Sequence, residues 1–256
     1  MILNKLENKV IVVTGGTKGV GKGVVLEAAK QSAIVVIAGR DENAARNILK
    51  EIKSFDGNGC FIYTDLKSIE DCRHLFEKTF KAYDRLNGFF NYAGITTAES
   101  LLDCSLETFN SVFDVNIRAA LFCSKHAIEY MIKSGGGSIV FTGSPHAWAG
   151  EKDRVAYACS KGAIVTLANH IAQHYAENAI RANYITMGWT PTEGEIALRK
   201  AKGMSEHDLR NWAATSIPAG RMTEVKDLVP GIIYLLSDES KMVSGSNFRI
   251  TGGWYL

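Results

Sequence analysis

The run Lys9-Val10-Ile11-Val12-Val13-Thr14 is short, almost wholly apolar and β-branched, and is followed at once by glycines. A strand with one wet face alternates polar and apolar residues, so an unbroken run of this kind suits a strand buried on both faces. Such strands belong to parallel sheets covered by helices on either side. Val20 to Gln31 then carries a helical pattern, and Ala33 to Ala38, A-I-V-V-I-A, is a second unbroken run. Together they make a β-α-β unit of about 30 residues, for which a right-handed crossover and parallel pairing are the default.

The alternation continues along the chain. Helices are predicted from about Glu42 to Ser54, from Ser68 to Tyr83, continuously from Leu106 to Lys133, and from Val155 to about Glu177. Strands are predicted at Gly59–Thr64, Gly88–Tyr92, Ser138–Thr142 and near Arg181–Ile185. Glu224 to Ser237 is again an amphipathic helix, and Asn247 to Ile250 supplies a last strand. With no repeat and no break in composition, this predicts an α/β fold: one domain over residues 1–256, a doubly wound, Rossmann-type parallel sheet flanked by helices. The stretch from Trp189 to Gly220 departs from the rhythm. It holds two helical pieces, T-E-G-E-I-A-L-R-K and S-E-H-D-L-R-N-W-A-A, with no strand between them, and is a candidate substrate lid.

A chain of 256 residues, 46% hydrophobic and 22% charged, can bury a core of this size. The net charge of +2 is small and its cations are dispersed, which argues against nucleic acid as a partner. The apolar runs reach only strand length, and M-I-L-N-K-L-E-N-K lacks the apolar core of a signal peptide, so neither a membrane nor secretion is expected. Cytoplasmic location is the default. The five cysteines, Cys60, Cys72, Cys104, Cys123 and Cys159, have neither disulfide-framework nor zinc spacing, so reduced thiols and no metal are expected. Cys159, two residues from Tyr157, points to a different helical face and is expected in the core or an interface.

Between the first strand and first helix stands Thr14-Gly15-Gly16-Thr17-Lys18-Gly19-Val20-Gly21. Glycines let a backbone turn tightly and approach a pyrophosphate, whose charge the helix N-terminus favours. The second strand ends in Gly39-Arg40, not in the Asp or Glu that would bind free ribose hydroxyls. Arg40 and Lys18 suit a 2'-phosphate, so NADP(H) is the expected cofactor, with NAD(H) possible. Further on, Tyr157 and Lys161 lie four apart and share a helical face. A fixed ammonium beside a phenol favours the phenolate, which equips Tyr157 to pass a proton, while Ser144 offers a hydroxyl to hold a substrate oxygen.

These residues resemble the short-chain dehydrogenase/reductase family over essentially the whole chain. Its glycine motif matches Gly15, Gly19 and Gly21, its adenine-capping Asp matches Asp65, and its N-N-A-G appears as Asn91-Tyr92-Ala93-Gly94, with Tyr92 a departure. Its catalytic asparagine matches Asn116, and its S-Y-x-x-x-K set matches Ser144, Tyr157 and Lys161. The resemblance implies hydride transfer between a nicotinamide and a carbonyl or secondary alcohol, with Tyr157 as acid/base. Lys161 would bind the nicotinamide ribose and lower the Tyr157 pKa, Ser144 would hold the substrate oxygen, and Asn116 would position a water linking Lys161 to solvent. The resulting cofactor set is Gly15, Thr17, Lys18, Gly19, Val20, Gly21, Arg40, Asp65, Leu66, Asn91, Ala93, Gly94, Tyr157, Lys161, Gly188 and Thr192. Two further departures are Met187-Gly188, where the family has P-G, and Thr251-Gly252-Gly253, where D-G-G is frequent.

For substrate, His146, Trp148, Arg154 and Trp189 fall in the expected pocket walls, with Met187 and Trp212 near them. Polar groups with aromatic surfaces suit a hydroxylated ring such as a sugar or cyclitol. Packing or subunit contact is the other use for the tryptophans. A 3-oxoacyl thioester reductase is an alternative activity, and a non-catalytic NADP(H)-binding sensor or scaffold is the alternative of another class. The resemblance also implies a homodimer or homotetramer, and Val112, Phe113, Ala120 and Leu121 give the long helix more apolar surface than one sheet contact requires.

Overall fold

The computed structural model describes residues 4–191, 196, 200 and 203–254. Its strands are β1 (Val10–Thr14), β2 (Ile34–Gly39), β3 (Asn58–Tyr63), β4 (Gly88–Asn91), β5 (Gly137–Gly143), β6 (Ile180–Met187) and β7 (Asn247–Ile250). They form one sheet in the order β3-β2-β1-β4-β5-β6-β7, with every neighbouring pair parallel. All five residues of β1 are buried. Alternation then divides its side chains between two cores. Ile11 and Val13 pack with Val35, Ile37 and Phe90 on one face, while Val10 and Val12 pack with Val36, Ala38 and Phe89 on the other.

The first face is covered by α1 (Gly19–Lys30), α2 (Glu42–Lys53) and a late helix, Val225–Leu236, through residues such as Val24, Ile48 and Leu228. The second is covered by α3 (Ile69–Tyr83) and by two helices beyond it, through Leu75, Ala127 and Ile164. Burying each such Leu, Ile or Val contributes roughly 1.5–3 kcal/mol. At the edge, β3 has no strand outside it and no fully buried residue.

The continuous helix expected over Leu106–Lys133 is corrected by the structure. It is α4 (Leu106–Phe113), a π-helical turn at Asp114–Arg118, and α5 (Ala119–Lys133). The chain from Ser144 to Arg154 contains a short helix, α6 (His146–Ala149), before α7 (Val155–His174). Of the two lid pieces, the first lies mostly outside the described residues. The second is α8 (Glu206–Ser216), started by a capping box in which Ser205 and Asp208 each accept from the other's backbone N–H. The late helix is then α9 (Val225–Leu236). Among the described residues no helix is long and apolar enough to cross a membrane.

Candidate active site

The strand order reverses at β1 and β4, and the loops leaving their carboxyl ends diverge to open a crevice. Thr14 and Asn91 brace its floor: the Thr14 hydroxyl donates to the Asn91 amide oxygen at 3.2 Å, and the Ala93 N–H lies 3.4 Å from the same hydroxyl. Asn91 is buried, and its backbone carbonyl accepts from Thr142 at 3.0 Å. It therefore fixes β4 between β1 and β5.

The glycine loop lies against this floor. Gly15 has φ +68°, and a Cβ there would come 3.1 Å from the Ala93 Cα; at Gly21 one would stand 2.4 Å from the Gly15 carbonyl oxygen. Only glycine fits at these two positions, one in the loop and one in the helix start it folds under. Lys18 precedes α1 in extended conformation without capping it through its side chain, and no acidic residue occupies the first turn. By contrast Asp41, Ser68, Ser105 and Ser205 cap α2, α3, α4 and α8. The start of α1 thus presents Gly19 and Val20 amides and the positive end of the helix dipole to the crevice.

Thr17 approaches Gly39 at the end of β2, close enough that a Cβ there would lie 3.8 Å from its methyl. Lys18 and Arg40, the next residues in sequence after Thr17 and Gly39, are both exposed and engaged in no ion pair among the described residues. After β3 the Asp65 carboxylate accepts from the Lys67 N–H at 3.0 Å, and half-buried Leu66 packs against the second core.

Opposite the glycine loop, α7 presents Tyr157 and, one turn on, Lys161. The Lys161 ammonium lies 5.5 Å from the Tyr157 ring centroid and donates to the Thr142 carbonyl at 2.9 Å. It is only 5% exposed, and burial pushes its pKa down from 10.5 to about 8. Asn116 sits beside it in the π-helical turn. Its amide clasps the Ile95 backbone in both directions at 2.9 Å and donates to the Ser160 hydroxyl at 3.0 Å. Ser160 in turn donates to the Tyr157 carbonyl at 2.7 Å. This clasp is the tertiary reason for the π turn: the extra residue aims Asn116 at the loop after β4. Gly94 belongs to that loop and closes over the pair, within 3.2 Å of the Asn116 amide oxygen for an added Cβ.

One cavity joins these elements. Its lining includes Ser144, Tyr157, His146, Arg154, Trp189 and Trp254. Ser144 is buried and accepts from the His146 N–H at 3.2 Å. His146 Nε2 meets the Glu151 carboxylate at 2.8 Å, and Arg154 donates to Thr96 at 3.2 Å. The His146 hydrogen bond holds the Glu151 carboxyl below the usual carboxylate range, helped by the Arg154 charge. Ring contacts run on from His146 to Trp254 at 6.3 Å, from Trp254 to Trp212 at 5.8 Å and from Trp212 to Trp189 at 4.7 Å.

A family model described as enoyl-(acyl carrier protein) reductase matches residues 15–255. The chain belongs to the short-chain dehydrogenase/reductase family. An uncharacterized oxidoreductase of Thermotoga maritima is 31% identical over 247 residues, 96% of this chain and 97% of that one. A 7alpha-hydroxysteroid dehydrogenase of Clostridium sardiniense is 30% identical over 257 residues, 99% and 96% of the two chains. Among solved structures, a Beutenbergia cavernae protein provisionally described as an NAD(P)-dependent gluconate 5-dehydrogenase, with NADP bound at low occupancy, superimposes with a TM-score of 0.90 at 28% identity, covering 98% of each chain. This short-chain dehydrogenase/reductase is accordingly an oxidoreductase acting on CH–OH groups, of a family that binds NAD(P).

Where the short-chain dehydrogenases usually have P-G, Met187 and Gly188 are held by packing and hydrogen bonding. A Cβ on Gly188 would stand 2.2 Å from the Thr223 hydroxyl and 2.8 Å from the Thr251 Cα. Gly188 donates to Ile250 at 2.8 Å, and Thr223 donates its N–H to the Trp189 carbonyl at 2.9 Å. Thr251, in place of the frequent Asp, is part of that packing. Thr192 lies outside the described residues.

Trp148 is not among the cavity's lining residues. It is 55% exposed, stacked near Tyr184 at 6.3 Å with the Arg249 guanidinium 5.9 Å from its ring. Cys159 is exposed and so is not a core thiol. Sequence reasoning did not single out Trp254, Thr142, Ser160 or Glu151. The one local signal was the Ser immediately before Lys161.

Proposed function

We propose that this enzyme uses NADP(H) to interconvert a carbonyl and a secondary alcohol on a hydroxylated ring of sugar or cyclitol type. The observation that carries the reading is a single cluster: Ser144 and Tyr157 lining one cavity, with Lys161 buried behind the phenol and Asn116 locked beside it. A bound nicotinamide dinucleotide supplies or takes up the hydride. Ser144 holds the reacting oxygen, and Tyr157 donates or removes its proton. The Lys161 charge favours the phenolate in that exchange, and the Asn116–Ser160 link fixes the helix face on which both act. Trp189 and Trp254 offer flat apolar surface to one side of a ring, while Arg154 and His146 offer polar edges.

The residues suit the dinucleotide. A crevice at the strand-order reversal, a cradle that added Cβ atoms would fill, and a helix start with no side-chain cap favour a diphosphate. Lys18 and Arg40 favour a 2'-phosphate, hence NADP(H) over NAD(H). The segment 189–220 acts as the lid. The exposed side chains of Leu101, Leu102, Leu106, Phe109 and Leu121 favour a homodimer or homotetramer, and the five free thiols favour a reducing, cytoplasmic setting.

A panel of carbonyls and polyols assayed with both cofactors tests the reading, with Tyr157→Phe as control. Turnover should fall by about 10²–10⁴-fold with NADPH affinity unchanged. If the variant loses cofactor binding instead, the acid/base assignment is wrong; tight binding without turnover on any substrate class would favour a sensor.

A further inference from the structure

Tyr92 takes no part in the chemistry above, yet its side chain lies against the glycine loop. Its ring stacks on Phe90 at 5.8 Å. Added Cβ atoms at Gly15 and Gly21 would stand 3.2 Å and 2.7 Å from its edge. The ring is thus fixed between β4 and the glycine loop. Its hydroxyl faces the backbone N–H of Val20 in the first turn of α1, and both residues line the cavity. A phenol both accepts and donates, so a hydroxyl that faces an N–H still has its own O–H for another partner. Burial pushes the Tyr92 hydroxyl above its ordinary pKa, so it stays a neutral donor and brings no negative charge to the site. The start of α1 has no side-chain cap from its N-cap residue, so an anion drawn there meets this O–H beside the Gly19 amide.

We propose that Tyr92 extends the phosphate cradle: pinned by Phe90, Gly15 and Gly21 at the start of α1, it donates its hydroxyl to the diphosphate of the bound dinucleotide. The family usually has Asn at this place, and the longer Tyr carries a hydroxyl to the helix start. The inference rests on the dinucleotide reading given above.

Calorimetric titration with two nicotinamide-free probes tests it. One is 2'-phospho-ADP-ribose, which carries the diphosphate, and the other is 2'-AMP, which does not. Tyr92→Phe keeps the ring and removes one donor to a charged acceptor, so the Kd for 2'-phospho-ADP-ribose should rise about tenfold, with that for 2'-AMP within about twofold. Tyr92→Met, which discards the ring as well, should show the same selective loss. Equal losses on both probes, or none on either, overturn the proposal. Wild-type protein that binds neither probe overturns the dinucleotide reading with it; wild-type binding that Tyr92→Phe leaves unchanged overturns the Tyr92 role alone.

Discussion

Replacing Lys161 by Met should stabilise the cofactor-free protein at neutral pH while abolishing turnover. The ammonium is 5% exposed, and burial lowers its pKa from 10.5 to about 8. That displacement corresponds to about 3 kcal/mol against the charged form in the folded state. Between the two values the unfolded chain binds more protons than the folded one, so folded stability rises with pH, by about 1.4 kcal/mol per pH unit. Below pH 8 both states are protonated and the whole penalty is present. Met has similar reach and no charge, but it leaves the Thr142 carbonyl without the donor now at 2.9 Å, an opposing loss of about 1–3 kcal/mol. The variant should therefore be the more stable at pH 7 by up to about 2 kcal/mol, lose that advantage above pH 8, and be the less stable near pH 10. Urea unfolding of both proteins at pH 7, 8, 9 and 10 gives the difference directly, with groups common to both cancelling. A difference that is flat over this range, or that grows with pH, refutes the claim that Lys161 is held charged at a desolvation cost.

Arg40→Ala should raise the Kd for NADPH by about tenfold and leave that for NADH unchanged, measured by fluorescence titration; an equal effect on both would remove the 2'-phosphate from the argument. Gly188→Ala forces a methyl to within 2.2 Å of the Thr223 hydroxyl and 2.8 Å of the Thr251 Cα, and should destabilise by about 1–3 kcal/mol in thermal unfolding. Glu151 has a folded pKa below its ordinary 4.5, chiefly through the His146 hydrogen bond, so its stabilisation is present above that pH and is lost as pH falls through the folded value. The stability difference between wild type and Glu151→Gln, followed by urea unfolding from pH 6 to pH 3, should accordingly shrink toward the acid end; a constant difference would contradict it.

The fold was readable where burial is symmetric and local. The unbroken run of β1 is apolar because both its faces meet helices, and that cause leaves its mark in consecutive residues. The break at Asn116 was not readable. Asp114 to Arg118 offends no helical preference; what widens the helix is the clasp on Ile95, 21 residues away in the chain, and on Ser160, 44 away.

The pocket wall failed to read out for a related reason. The sequence places His146 and Trp148 together in a loop expected to wall the pocket. It is instead helical at His146–Ala149, where residues two apart point to different faces. His146 faces Tyr157 and the cavity, and Trp148 turns toward Tyr184 and Arg249. The aromatic surface that sequence reading gave to Trp148 comes from Trp254, which β7 and the Thr251–Gly253 turn return to the carboxyl ends of the strands. Helical phase therefore separates the two tryptophans into different tests. Trp254→Ala removes surface from the cavity and should raise KM for a ring substrate, whereas Trp148→Ala removes exposed surface and should leave KM unchanged.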